Sequence, residues 1–231
     1  AGEDREYVEA AIRGNIKVLG FSDHCPWVFP DDFRSTIRMS LSEVDGYFHS
    51  LEELKREYKD DIDIKIGFEE EYMPDLIPAQ DDFLEGYPVD YRILGQHFVG
   101  PECGDNYAGN PTRSEEMLKG YVDLCLEGMA TGRYKYLAHP DLICYVGDDA
   151  IYEREMRRLC EGIWAIEGIL EINALGIAGE RNYPDMRFWK IAGETGNQAM
   201  IGMDAHTPEQ LINREAIDRA REIGKDVLIL N

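Results

Sequence analysis

The 231 residues predict one parallel β/α domain, most simply a barrel. Two observations carry this. Short apolar runs alternate with segments of helical periodicity along the whole chain. No linker-like composition shift, low-complexity segment or short-period repeat interrupts that alternation. The runner-up, an open doubly wound sheet, is disfavoured because no Gly-rich nucleotide fingerprint follows any predicted strand.

In chain order, Glu3 to Arg13 reads as a helix with Tyr7, Val8, Ala11 and Ile12 inward and Gly14 as its stop. Ile16 to Phe21 follows as a strand running into Ser22-Asp23-His24, and a loop with Pro26, Pro30 and Arg34 comes next. Ser42 is expected to cap a long helix carrying Val44, Tyr47, Phe48, Leu51, Leu54 and Tyr58. The second strand, Ile62 to Phe68, runs into Glu69-Glu70-Glu71. A short helical stretch with two Pro leads to a strand beginning at Tyr91 and ending in Gln96-His97. Residues 100–113 read as a loop, and Ser114 opens a helix reaching Gly132. Tyr134 to Ala138 is a strand stopped by His139-Pro140, followed by a helix from about Ala150 to Ile166 and a strand from Ile169 to Asn173. Pro184 opens a helix through Gly196; the apolar run from Ala199 then enters Asp204-Ala205-His206. A helix from Pro208 to Ile223 and a weak strand from Val227 to Leu230 close the chain.

A net charge of −22 argues against nucleic-acid binding, which needs clustered Lys and Arg to displace counterions. It leaves an anionic substrate open, because bound metals reverse the local field. Most of the 46 acidic residues read as solvated surface. The five Cys (25, 103, 125, 144 and 160) form no Cys-x-x-Cys pair, which points to reduced thiols in a cytoplasm. With no apolar stretch of 18 residues and no visible signal peptide, neither a membrane nor a secretory route is expected.

His24, Glu69, His97, His139, Asp204 and His206 all fall at the carboxyl ends of predicted strands, and they include four of only five His in the chain. In a closed β/α barrel those ends converge on the face where active sites lie. Imidazoles and carboxylates together suit divalent transition metals, and residues i and i+2 such as Asp204 and His206 point the same way from an extended strand end. Six donors exceed the needs of one tetrahedral ion, so two or more ions sharing a carboxylate is the economical arrangement. The Glu triplet alone reads as a solvated turn; its position directly after Phe68 singles out Glu69. Asp23 is either a ligand or a partner orienting an imidazole. His49 reads as surface, and Cys25 beside His24 is a poor nucleophile because adjacent strand-end residues diverge.

Gly20-Phe21-Ser22-Asp23-His24, Gly67-Phe68-Glu69, Gly95-Gln96-His97, Ala138-His139-Pro140-Asp141 and Gly202-Met203-Asp204-Ala205-His206 resemble the ordered motifs of the PHP (polymerase and histidinol phosphatase) superfamily. Phe33-Arg34, Arg38-Met39, Ile64 to Glu69, Leu170 to Asn173 and Phe188-Trp189 resemble its histidinol-phosphatase branch. The resemblance implies a distorted (β/α)7 TIM-like barrel with two or three divalent ions, zinc, manganese or iron. It implies that Glu69 bridges two ions, with His97 and His139 on one, Asp204 on another, and His24 and His206 on a third. A metal-held hydroxide would then hydrolyse a small phosphate monoester, L-histidinol phosphate in histidine biosynthesis, with Asp204 and His206 at the chemistry. The alternatives are a PHP enzyme for another phosphate ester or nucleotide, and a non-catalytic metal-binding barrel.

The sequence departs from the pattern twice. The family opens with a strand ending in His-x-His, whereas this sequence begins where the first helix should begin, so a strand and two or three ligands are expected to be missing from it. The residues after Glu171-Ile172-Asn173 lack the nearest family Arg, which leaves Arg181 and Arg38 as candidates to hold substrate phosphate through a guanidinium fork.

Overall fold

In the computed structural model, which describes residues 2–30, 33–102 and 106–230, helices alternate with parallel strands in a mixed α/β fold. The chain forms two compact units, Ala1–Ile93 with Ala205–Ile212, and Leu94–Asp204 with Asn213–Asn231.

The first unit contains α1 (Asp4–Arg13), β1 (Val18–His24), α2 (Val44–Glu57), β2 (Asp63–Glu70), α3 (Ile77–Leu84) and most of β3 (Tyr91–Leu94), with the strands in the order β1-β2-β3. Strand β1 runs parallel to β2, Val18 opposite Asp63 and His24 opposite Glu69. Val44, Tyr47, Phe48, Leu51 and Leu54 make the buried stripe of α2. Each such side chain contributes about 1.5–3 kcal/mol of burial. The cap is Ser40 rather than the expected Ser42. A short 3-10 turn, Leu41–Glu43, precedes α2, and Ser40 and Glu43 close a reciprocal capping box before it. Tyr91 lies across the sheet and donates its hydroxyl to the Phe21 carbonyl at 2.9 Å. A Cβ at Gly20 or Gly67 would collide with Tyr91, which explains both motif glycines.

The second unit contains α4 (Glu115–Ala130), α5 (Asp149–Ala165), β4 (Ile169–Asn173), α6 (Ala174–Ala178), α7 (Met186–Thr195), β5 (Gln198–Gly202), α8 (Arg214–Ile223) and β6 (Leu228–Ile229). Strand β5 pairs in parallel with β4 and with β6. The expected strand 134–138 shrinks to one residue, Leu137, bridged to Leu94 on one side and Leu170 on the other. His139 at φ 29° ends the extension, and Pro140 supplies no N–H. The expected helix from Pro208 to Ile223 is broken: Pro208–Ile212 is a 3-10 turn, and Asn213 restarts the chain as the cap of α8 by accepting the Ala216 N–H at 3.1 Å. Helix α6 was not anticipated. Among the described residues the strands make two three-stranded arrays, and no pairing closes a seven-stranded barrel. Cys103 lies outside the described residues; Cys25, Cys125, Cys144 and Cys160 are free thiols. No helix of the described residues is long and apolar enough to cross a membrane.

Candidate functional site

The first unit brings His24, Glu69 and Glu71 together. Parallel register sets His24 opposite Glu69, so both side chains share one face, and His24 Nε2 lies 3.9 Å from Glu69 Oε2. The strand period of two returns Glu71 to that face, and its carboxylate and the His24 ring offer donor atoms within 4.8 Å of one another. The Glu triplet is no solvated turn. Glu70 is fully buried with Arg92 Nε at 2.8 Å, and Glu71 receives both arms of Arg38, at 2.7 and 3.0 Å. The Arg38 guanidinium also reaches the Cys25 carbonyl at 3.2 Å, so the structure places this candidate phosphate ligand in a buried fork on Glu71. Parallel strands are covered on both faces, and a buried carboxylate there needs a counter-charge.

Cys25 is buried, and its sulfur accepts a hydrogen bond from Gln80 Nε2 at 3.1 Å. Burial, then the charge of Glu70, pushes the thiol well up, away from nucleophilic use. Desolvation, then the charge of Asp4, pushes the Asp23 carboxyl up, while His206 pulls it down. That places His206 within electrostatic reach of Asp23. The His206 backbone N–H is itself held by Gln210 Oε1 at 2.6 Å. His49 is exposed, beside Glu53 on its own helix.

The second unit brings His97, His139 and Asp204 into one strand-end region. The rings of His97 and His139 sit edge to face at 4.9 Å between centroids, and their nearest offered nitrogens lie within 4.8 Å. The φ of Asp204 is 44°, so the chain leaves the extended region before His206, and the simple i, i+2 argument for that pair does not hold. His139 and Asp204 are thus both in the left-handed region, at a cost of about 1–3 kcal/mol each.

Glu171, on β4, is buried beneath these turns. Its Oε2 accepts the His139 N–H at 2.9 Å and Asn173 Nδ2 at 3.0 Å. Asn173 Nδ2 also reaches Asp204 Oδ2 at 3.0 Å, while Asn173 Oδ1 caps α6 through the Gly176 N–H at 2.8 Å. A Cβ at Gly202 would overlap the Glu171 carboxylate, so glycine makes room for it. Burial first, and then the charge of Asp204, pushes Glu171 up to about 7, against the opposing effect of His139. Burial likewise takes Asp141 up to about 7, although the Asp185 N–H donates to it at 2.6 Å.

Arg181 donates to the Tyr183 hydroxyl at 2.6 Å, and the Tyr183 ring lies 5.7 Å from that of His139. Sequence reasoning missed Glu71, Glu171, Asn173 and Tyr183 as parts of these clusters. Only the recurrence of carboxylates at strand ends hinted at the two Glu. The donor chemistry, imidazole nitrogens and carboxylate oxygens in closely spaced groups, fits a divalent transition metal.

A family model described as PHP domain matches residues 2–174. A probable histidinol-phosphatase of Deinococcus radiodurans is 26% identical over 235 residues, covering 96% of this chain and 88% of that protein. A histidinol-phosphatase of Lactococcus lactis subsp. lactis is 27% identical, covering 87% of this chain and 77% of that protein. The crystal structure of histidinol phosphate phosphatase from Lactococcus lactis, complexed with zinc, L-histidinol and phosphate, superposes with a TM-score of 0.72. That likeness spans 99% of this chain and 89% of the other at 22% identity, and it is a likeness of fold.

Proposed function

The chain belongs to the PHP domain family, and on that premise we propose that it hydrolyses a small phosphate monoester, L-histidinol phosphate, to L-histidinol and phosphate with the help of divalent metal ions. The observation that carries this reading is the placement of His24, Glu69, His97, His139, Asp204 and His206 at or just beyond strand ends in a chain similar to histidinol-phosphatases over nearly its whole length. In this reading the chain is one domain with the distorted (β/α)7 barrel of its family, working in the cytoplasm, and those six residues hold two or three ions of zinc, manganese or iron. Glu71 joins them as a further donor.

Bound divalent ions would lower the pKa of water and offset charge on the phosphoryl oxygens. The chain's own residues do the rest. Arg181, oriented by the Tyr183 hydroxyl, takes phosphate oxygens, and Arg38 acts there chiefly through Glu71. Asp204 and His206 carry the proton to the ester oxygen as the phosphorus–oxygen bond breaks and the alcohol leaves. Water supplies the new oxygen on phosphorus.

The test is phosphate release by the protein loaded with zinc, manganese or iron(II), offered L-histidinol phosphate beside a panel of other phosphomonoesters. Release should be abolished by a chelator and fall at least 100-fold in Glu69→Gln and His139→Asn. Turnover at background on every ester with every metal would overturn the reading. Preference for another ester would replace the substrate and keep the reaction.

A further inference from the structure

Two residues read as metal ligands, His139 and Asp204, sit in backbone conformations that L-amino acids rarely adopt, at φ 29° and 44°. Neither lies within a regular strand, so backbone pairing alone does not hold them. Both are tied instead to the same buried pair on β4. Glu171 Oε2 accepts the His139 N–H, Asn173 Nδ2 donates to Asp204 Oδ2, and the same NH2 group closes the pair by donating to Glu171 Oε2.

The orientation of the Asn173 amide is not arbitrary. Its oxygen is committed to the Gly176 N–H at the start of α6, which turns the NH2 group toward the two carboxylates. Register sets Asn173 opposite Gly202, and the absence of a side chain at Gly202 leaves the space that the Glu171 carboxylate fills.

We propose that Glu171 and Asn173 form a positioning clamp, in which one amide braces two carboxylates and so fixes the turns that present His139 and Asp204 to metal. The proposal rests on the metal-site reading above. Glu171 and Asn173 are positioning residues: they act through His139 and Asp204. Partners that orient ligands in this way typically change metal affinity 10–100-fold when removed.

The variants that separate clamping from capping are Asn173→Ser and Asn173→Asp. Ser and Asp are both good helix caps and can keep the bond from Gly176, but neither supplies an NH2 group to two carboxylates. With five His in the chain, 15N-histidine labelling gives a small set of backbone amide signals, assignable by single substitutions. We expect His139 amide exchange to speed at least tenfold in both variants, and zinc affinity, read by competition with a chelating dye, to fall at least tenfold. Catalytic turnover should drop through kcat with KM little changed. The thermal midpoint of Asn173→Ser stays near that of the parent, while that of Asn173→Asp falls because a third carboxylate meets Glu171 and Asp204.

If both folded variants keep zinc affinity within twofold and the His139 amide does not move, the clamp is wrong. Should Asn173→Asp fail to fold, Asn173→Ser decides by the same two readouts. A parent protein that binds zinc yet hydrolyses no phosphate ester, with variants that still lose zinc affinity and speed His139 exchange, would sink the function while leaving the clamp standing.

Discussion

The two strand-end clusters hold their buried carboxylates by opposite means. In the first unit, Glu70 and Glu71 each meet an arginine, Arg92 and Arg38. In the second, the buried Glu171 and Asp141 are held by neutral donors: the His139 and Asp185 backbone N–H groups and the Asn173 amide. The difference lies in where the compensating charge comes from. An arginine fork makes the first cluster a fixed ion-paired scaffold. Neutral donors fix geometry while adding no charge, and burial accordingly raises Glu171 and Asp141 to about 7.

The largest effect expected from this contrast is at Arg38. Arg38→Met leaves Glu71 buried without its counter-charge and should cost about 3–5 kcal/mol, read as a lowered urea midpoint of the metal-free protein. Adding Glu71→Leu should restore most of that loss, since a packed apolar pair often replaces a buried ion pair without penalty. If Arg38→Met alone is neutral, the ion-paired half of the comparison fails.

Glu171→Gln should cost far less, about 1 kcal/mol or under. One oxygen, Oε2, accepts both the His139 N–H and Asn173 Nδ2, so a Gln carbonyl placed there can take both. A loss as large as that of Arg38→Met would show that the second cluster also depends on charge.

The smallest effect concerns Glu155 on α5, which is charge-compensated although it lies in the second unit. Burial would raise its carboxyl, but the hydrogen bonds from Arg154 and Arg158 outweigh that and hold it below the ordinary range. A depressed folded pKa stabilises the fold above the unfolded value near 4 and loses that contribution as pH falls through the folded one. Glu155→Gln should therefore flatten the loss of stability on the acid side by about 0.5–1 kcal/mol, seen in melting curves taken from pH 6 down to pH 3. An unchanged acid limb would remove Glu155 from the comparison.

Much of this architecture is written locally. The apolar runs at 169–173 and 198–202, the α2 stripe and the Ser114 cap all appear where the pattern puts them, because each depends on residues within a few positions. Local reading set the cap at Ser42 and not at Ser40, since neighbouring Ser compete for one role, and it missed the break at Asn213 between the 3-10 turn and α8. The segment at 134–138 shows the same limit: the stop at His139-Pro140 is legible locally, but that only Leu137 pairs with its neighbours is set by the strands on either side.

By itself, the sequence determined the parallel α/β character, the strand-end positions of His24, Glu69, His97 and His139, and the family to which they belong, because periodicity and motif order are properties of neighbours along the chain. The tertiary structure alone decided that Glu70 and Glu71 are buried. Their arginines stand 22 residues after and 33 residues before them, so only folding makes them partners. It also decided that Asn173, which reads as the last residue of a strand, caps α6 and reaches across 31 residues to Asp204. Charge compensation and ligand orientation are set by distance in space, which the order of residues does not state.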